Sequence, residues 1–169
     1  MINPDEFENS IECNVRVLAE LLTSRQYMLA TAESCTGGWI AQELTALAGS
    51  SSWFDSGFVT YSNEAKQSLL DVPADFFEEA GPGAVSEETV RAMTAGAIAN
   101  SRANVAVAVS GVAGPAGGSE EKPVGTVWIA WQVGLRTVSR RYSFAGDRRS
   151  VRAATVLEAL ERLIVMLEE

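Results

Sequence analysis

Ser34, Cys35 and Thr36 stand together in the run Leu29-Ala30-Thr31-Ala32-Glu33-Ser34-Cys35-Thr36-Gly37-Gly38, three side chains able to attack a carbonyl or to hold an anion. Met28 to Thr31 reads as a short buried strand, Gly37 and Gly38 let the backbone turn, and Trp39 to Leu47 continues with helical periodicity. This order presents the three side chains beside a helix N-terminus, where unpaired N–H groups favour a phosphate or a developing negative charge. Ser34 and Thr36 would equally serve as plain helix caps. Cys35 is the rival nucleophile, but the chain has no histidine to partner it.

The missing histidine removes Ser-His-Asp and Cys-His units and every imidazole metal ligand. A hydrolytic site would need another base, or a metal held by carboxylates alone. Only Lys66 and Lys122 are lysines among thirteen basic residues. Ser62 or Asn63 can cap a short helix with Lys66 in its first turn. There the positive helix end and partial burial would both disfavour the ammonium, leaving the neutral amine that a lysine base requires. The alternative is a solvated surface lysine.

A second candidate region is the glycine-rich loop Ser110-Gly111-Val112-Ala113-Gly114-Pro115-Ala116-Gly117-Gly118, which follows an apolar run from Ala103 to Ser110. Loops at strand ends of α/β sheets carry ligand sites. The Gly-Lys-Ser/Thr ending of a Walker motif is missing, and no helix pattern follows as a dinucleotide site requires. Arg148 and Arg149 open the last helix against its dipole, a placement that suits an anionic ligand.

The elements that must position these residues follow in order. Asp5 to Arg25 is an amphipathic packing helix, with Cys13 expected as a structural residue in it. Trp53 to Tyr61 reads as a strand, and Ser86 caps an alanine-rich helix running to about Ser101. Val124 to Val133 and Arg136 to Phe144 form a hairpin around Gly134-Leu135, and Trp128 and Trp131 are core or interface residues. The last helix carries Ala153, Val156, Leu157, Leu160, Leu163, Ile164 and Leu167 at helical spacing. Helical crossovers from Trp39 and Ser86 with a late hairpin predict a single three-layer α/β/α domain around a mixed sheet.

At 169 residues and 47% apolar, the chain suits one globular domain. Its net charge of −9 argues against a nucleic-acid partner. The two cysteines, Cys13 and Cys35, form no metal or disulfide pattern and fit a reducing compartment. Met1 to Asp5 lacks a signal-peptide pattern and no apolar run reaches membrane-spanning length, so a cytoplasmic protein without membrane contact is expected. Trp53 and Phe54, taken as exposed, suggest a self-association surface and a homo-oligomer.

Three segments together resemble the CinA C-terminal family: Thr31 to Gly38, Val59 to Lys66, and Ser110 to Pro115 with Lys122 to Val127. The likeness runs from the first helix to the last and is to the stand-alone form, without the N-terminal nucleotide-binding domain of some relatives. It implies a nicotinamide-nucleotide amidohydrolase, which converts the carboxamide of nicotinamide mononucleotide to a carboxylate and releases ammonia in pyridine nucleotide recycling. It implies Ser34 as nucleophile, Lys66 as base and Tyr61 as its helper, with no metal and no cofactor. Backbone N–H groups of Thr36, Gly37 and Gly38 would hold the oxyanion. The substrate would rest on Ser110, Gly111 and Gly114, its phosphate on the Gly111 to Gly118 loop with help from Arg148. The competing reading is a non-catalytic nucleotide-binding or regulatory module that uses Ser34 as a phosphate ligand.

Overall fold

The structure, a computed structural model, describes residues 4–169, so Met1 to Asn3 of the N-terminal stretch lie outside the described residues. Helix α1 (Pro4–Arg25) buries Ile11, Val15, Leu18 and Leu22 at three- and four-residue spacing. Cys13 is exposed, which corrects its expected structural role. Two residues on from Ile11 is more than half a helical turn, so the apolar stripe excludes it.

Strand β1 (Leu29–Glu33) leads into α2 (Trp39–Ala46), and β2 (Phe54–Val59) into α3 (Asn63–Leu70) and α4 (Glu87–Ala99). Then come β3 (Val105–Gly111), the hairpin β4 (Thr126–Val133) and β5 (Arg136–Ser143), and α5 (Arg148–Glu168). The sheet order is β2-β1-β3-β4-β5, with β1 parallel to β2 and β3, and β3–β4 and β4–β5 antiparallel. This is the expected three-layer α/β/α arrangement with a mixed sheet. On one face, α1, α2 and α5 pack over Leu29, Val107, Ile129 and Trp131. On the other, Leu70 of α3 and Val90 and Met93 of α4 pack over Ala30, Ala32, Ala106 and Ala108.

Central β3 is buried on both faces along its length until Gly111, as its unbroken apolar run requires. Small residues let the helices sit close. A Cβ at Gly96 of α4 would overlap the Leu70 carbonyl at the end of α3. That glycine therefore lets the end of α3, the helix that carries Lys66, close against α4.

Trp131 is fully buried and donates its indole N–H to the Ala159 carbonyl (2.8 Å), while Trp128 is half-buried. Trp53 is only 2% exposed and Phe54 is half-buried, which removes the exposed aromatic pair expected for self-association. The Trp53 carbonyl accepts from Leu29 N–H (2.8 Å), so the main chain carries the indole inward beside β1.

Candidate active site

Ser34 lies one residue beyond β1, at the C-terminal end of the parallel strands. Strand alternation sends Ala30 and Ala32 to the α3/α4 face, and Ser34 continues that parity. Glu33 has the opposite parity and turns towards α2. Lys66 comes from α3, which Ser62 caps by accepting from Ala65 N–H. Its Nζ lies 3.0 Å from Ser34 Oγ, 2.8 Å from the Thr60 carbonyl and 3.4 Å from the Tyr61 carbonyl. The expected convergence of Ser34 and Lys66 is present.

Lys66 is 1% exposed, and burial pulls its pKa from 10.5 down to about 8. A neutral amine has two hydrogens and one lone pair. Two carbonyl oxygens are placed to take the hydrogens, which leaves the lone pair for the Ser34 hydroxyl. Cys35 is buried in the core, and that burial pushes its thiol up to about 12. It is therefore not a thiolate near neutrality, and its standing below Ser34 has a physical cause.

The start of α2 differs from expectation. Glu33, fully buried, accepts from Gly38 N–H (3.1 Å), Ile40 N–H (3.0 Å), Ala41 N–H (2.8 Å) and the Thr36 hydroxyl (2.5 Å). Gly37 N–H donates to the Ser34 carbonyl (3.1 Å). The N–H groups of Gly37 and Gly38 and the Thr36 side chain are thus already occupied, which corrects their expected oxyanion and substrate roles. An internal carboxylate fills the place an external anion would take. The N–H groups of Cys35 and Thr36 have no acceptor from another residue among the described residues. Gly38 adopts φ 97° at the turn, a conformation only glycine takes without strain.

A cavity of about 200 Å³ opens at Ser34 and Lys66, walled by Tyr61, Asn63, Ala84, Val85, Ser110, Gly111 and Arg148 among others. Arg148 donates to the Gly114 carbonyl (2.9 Å) and to the Tyr61 hydroxyl (2.8 Å), tying the glycine loop to the tyrosine across the mouth. Tyr61 is 59% exposed, and its phenol meets Arg148 where a helper of Lys66 would meet the amine. Only its carbonyl approaches Nζ. Ser110 is buried and donates to the Ala84 carbonyl (2.7 Å), holding the 81–85 segment as a wall. Gly111 lines the cavity, whereas Gly114 contributes through its carbonyl. Arg149 is exposed.

A larger groove of about 1060 Å³ lies between α1, α2 and the start of α5, but neither Ser34 nor Lys66 lines it. Two charged residues of the site were not singled out in the sequence. Glu33 reads there as an ordinary polar strand end. Arg152 donates to the carbonyls of Cys35 (3.1 Å) and Thr36 (2.8 Å), yet reads as one more polar position of an amphipathic helix. Its i, i+4 spacing from Arg148 was the available signal.

The fold recurs in solved proteins. The competence/damage inducible protein CihA of Agrobacterium tumefaciens superposes with a TM-score of 0.89 at 44% identity, covering 95% of this chain and 96% of that one. The CinA C-terminal domain profile matches residues 12–167, and the chain belongs to that family. The nicotinamide-nucleotide amidohydrolase PncC of Pseudomonas putida is 54% identical over 147 residues, 87% of this chain and 91% of that protein. The protein of the same name from Escherichia coli K12 is 50% identical, over 86% and 88%.

Proposed function

We propose that this chain is a nicotinamide-nucleotide amidohydrolase that converts nicotinamide mononucleotide to nicotinic acid mononucleotide and ammonia by a serine–lysine mechanism. The single observation that carries the chemistry is the buried Lys66 Nζ, 3.0 Å from Ser34 Oγ, with burial favouring the neutral amine. The relatives at 50–54% identity carry the amidohydrolase activity in their names.

Lys66 takes the Ser34 proton as Oγ attacks the carboxamide carbon. The resulting oxyanion is held by the N–H groups of Cys35 and Thr36, which meet no acceptor from another residue among the described residues, each such donor being worth roughly 3–4 kcal/mol in characterised enzymes. The lysine proton passes to the departing nitrogen, the C–N bond breaks, and ammonia leaves an acyl-serine. A water then attacks the ester as Lys66 takes its proton, and Ser34 recovers a hydrogen as the carboxylate leaves. Arg148 and Tyr61 stand at the mouth, where the ribose phosphate of a substrate seated ring-inward would lie.

The test is ammonia release from nicotinamide mononucleotide by the wild type, Ser34→Ala and Lys66→Ala, with a chelator present. Turnover by the wild type alone is expected. Near-normal turnover by both variants would sink the serine–lysine assignment. No release from the wild type, with substrate still bound, would favour the binding module. The same reading takes the enzyme to be cytoplasmic, and a homo-oligomer that covers the exposed Val59 at the end of β2 and Leu69 on α3 while leaving Tyr61 at the open mouth. Sedimentation of the purified chain checks the oligomer.

A further inference from the structure

We infer that Arg152 is a positioning residue for the amide hydrolysis, setting the three successive peptide units after Ser34 so that the N–H groups of Cys35 and Thr36 stand free for the oxyanion. The inference rests on the reading of Ser34 as nucleophile.

The geometry runs through the planarity of the peptide. In a trans peptide unit the C=O and the N–H point in opposite directions. Arg152 Nε holds the Cys35 carbonyl, which has no other donor among the described residues, and so turns the Thr36 N–H away from the guanidinium. Arg152 Nη2 holds the Thr36 carbonyl together with the Trp39 N–H (3.2 Å), which turns the Gly37 N–H the other way, and there it meets the Ser34 carbonyl at 3.1 Å. With that carbonyl engaged, the Cys35 N–H points opposite to it and meets no acceptor from another residue among the described residues. One planar fork thereby orients three peptide units, and its charge polarises the Cys35–Thr36 and Thr36–Gly37 units directly.

The fork itself is fixed. Its Cζ lies 5.3 Å from the centre of the Trp39 ring, and that indole donates to Glu43 (2.6 Å) and meets Phe7 edge-on. A lysine could not reproduce the arrangement, since it offers a point charge where two parallel donors are needed. Arg152 also borders the groove of about 1060 Å³, so a small cation can enter the space its side chain would vacate.

The experiment measures kcat and KM for ammonia release from nicotinamide mononucleotide by the wild type, Arg152→Ala, Arg152→Lys and Ser34→Ala, with the unfolding temperature of each. Arg152→Ala is assayed again with guanidinium chloride far below denaturing concentration, and with methylammonium chloride as control. In both Arg152 variants kcat is expected to fall about 10- to 100-fold with KM changed by no more than about twofold. Guanidinium, and not methylammonium, is expected to restore Arg152→Ala severalfold. Wild-type kcat in Arg152→Ala, full activity in Arg152→Lys, or a loss that guanidinium leaves untouched would each overturn the inference. Ser34→Ala separates it from its premise. If that variant still turns over, the nucleophile assignment falls and this inference with it. If it is dead while Arg152→Ala matches the wild type, only the role of Arg152 falls.

Discussion

Lys66 is the residue at which activity and stability oppose each other. Its folded pKa, about 8, lies below its ordinary value of 10.5, so between these values the unfolded chain binds more protons than the folded one. Stability therefore rises with pH across that window, and below about pH 8 the fold carries the full cost of a buried ammonium, about 3 kcal/mol. Replacing Lys66 by Met removes the charge and keeps the volume, although the Thr60 and Tyr61 carbonyls lose their donor. The expected net gain is about 1–2 kcal/mol at pH 7, shrinking towards pH 10, with turnover abolished. Urea unfolding at the two pH values checks it, and a variant less stable than the wild type at pH 7 would contradict it. The wild-type kcat/KM profile should rise through an apparent pKa near 8, since only the neutral amine can accept the Ser34 proton.

Among the elements, α2 depends most on a residue outside itself. Ser62 and Ser86 cap α3 and α4 from the adjoining position, and both starts were legible because that capping is local. The anchor of α2 is Glu33, five residues ahead of Gly38-Trp39 and on the preceding strand, so a local capping pattern cannot reveal it. Glu33→Gln keeps one oxygen but turns an amide nitrogen towards donors. It is expected to cost about 2–3 kcal/mol in urea unfolding, because buried N–H groups are left without acceptors. Ser34 and Lys66 were candidates for a different reason, since a chain without histidine leaves few bases, but the residues alone left a helix cap and a surface lysine open, and the pairing as nucleophile and base came from the resemblance to the CinA C-terminal family. Arg152 and the carbonyl of Thr60 were not candidates, since their roles arise only when α5 and α3 are laid against the same turn from opposite layers. Trp53 was misplaced because an aromatic beside a polar serine run looks like surface until β1 binds its carbonyl.

At the scale of the molecule, the site is assembled from both helical layers, with Lys66 from the α3/α4 side and Arg148 and Arg152 from α5. The cavity of about 200 Å³ is below the roughly 300–1,000 Å³ of typical ligand pockets, so it suits the carboxamide ring and leaves the sugar phosphate at the mouth. A chain of net charge −9 needs a local cation to receive a phosphate, and the proposed function gives that part to Arg148 at the cavity mouth. Arg148→Met is expected to raise KM for nicotinamide mononucleotide about 10-fold or more, with kcat changed by no more than about twofold. Steady-state kinetics checks the split, and a fall in kcat with KM unchanged would move Arg148 from recognition to chemistry. Glu33 and Ser34, finally, are neighbours that face opposite layers, one holding a helix and the other offered to the amine. A one-residue slip of β1 against β2 and β3 would exchange their sides and forfeit both functions together. Foldability and chemistry are thus inherited through this strand as one unit. Insertions and deletions within it should be absent from the mutational paths open to the enzyme, which leaves the exposed loops as the places where its length can vary.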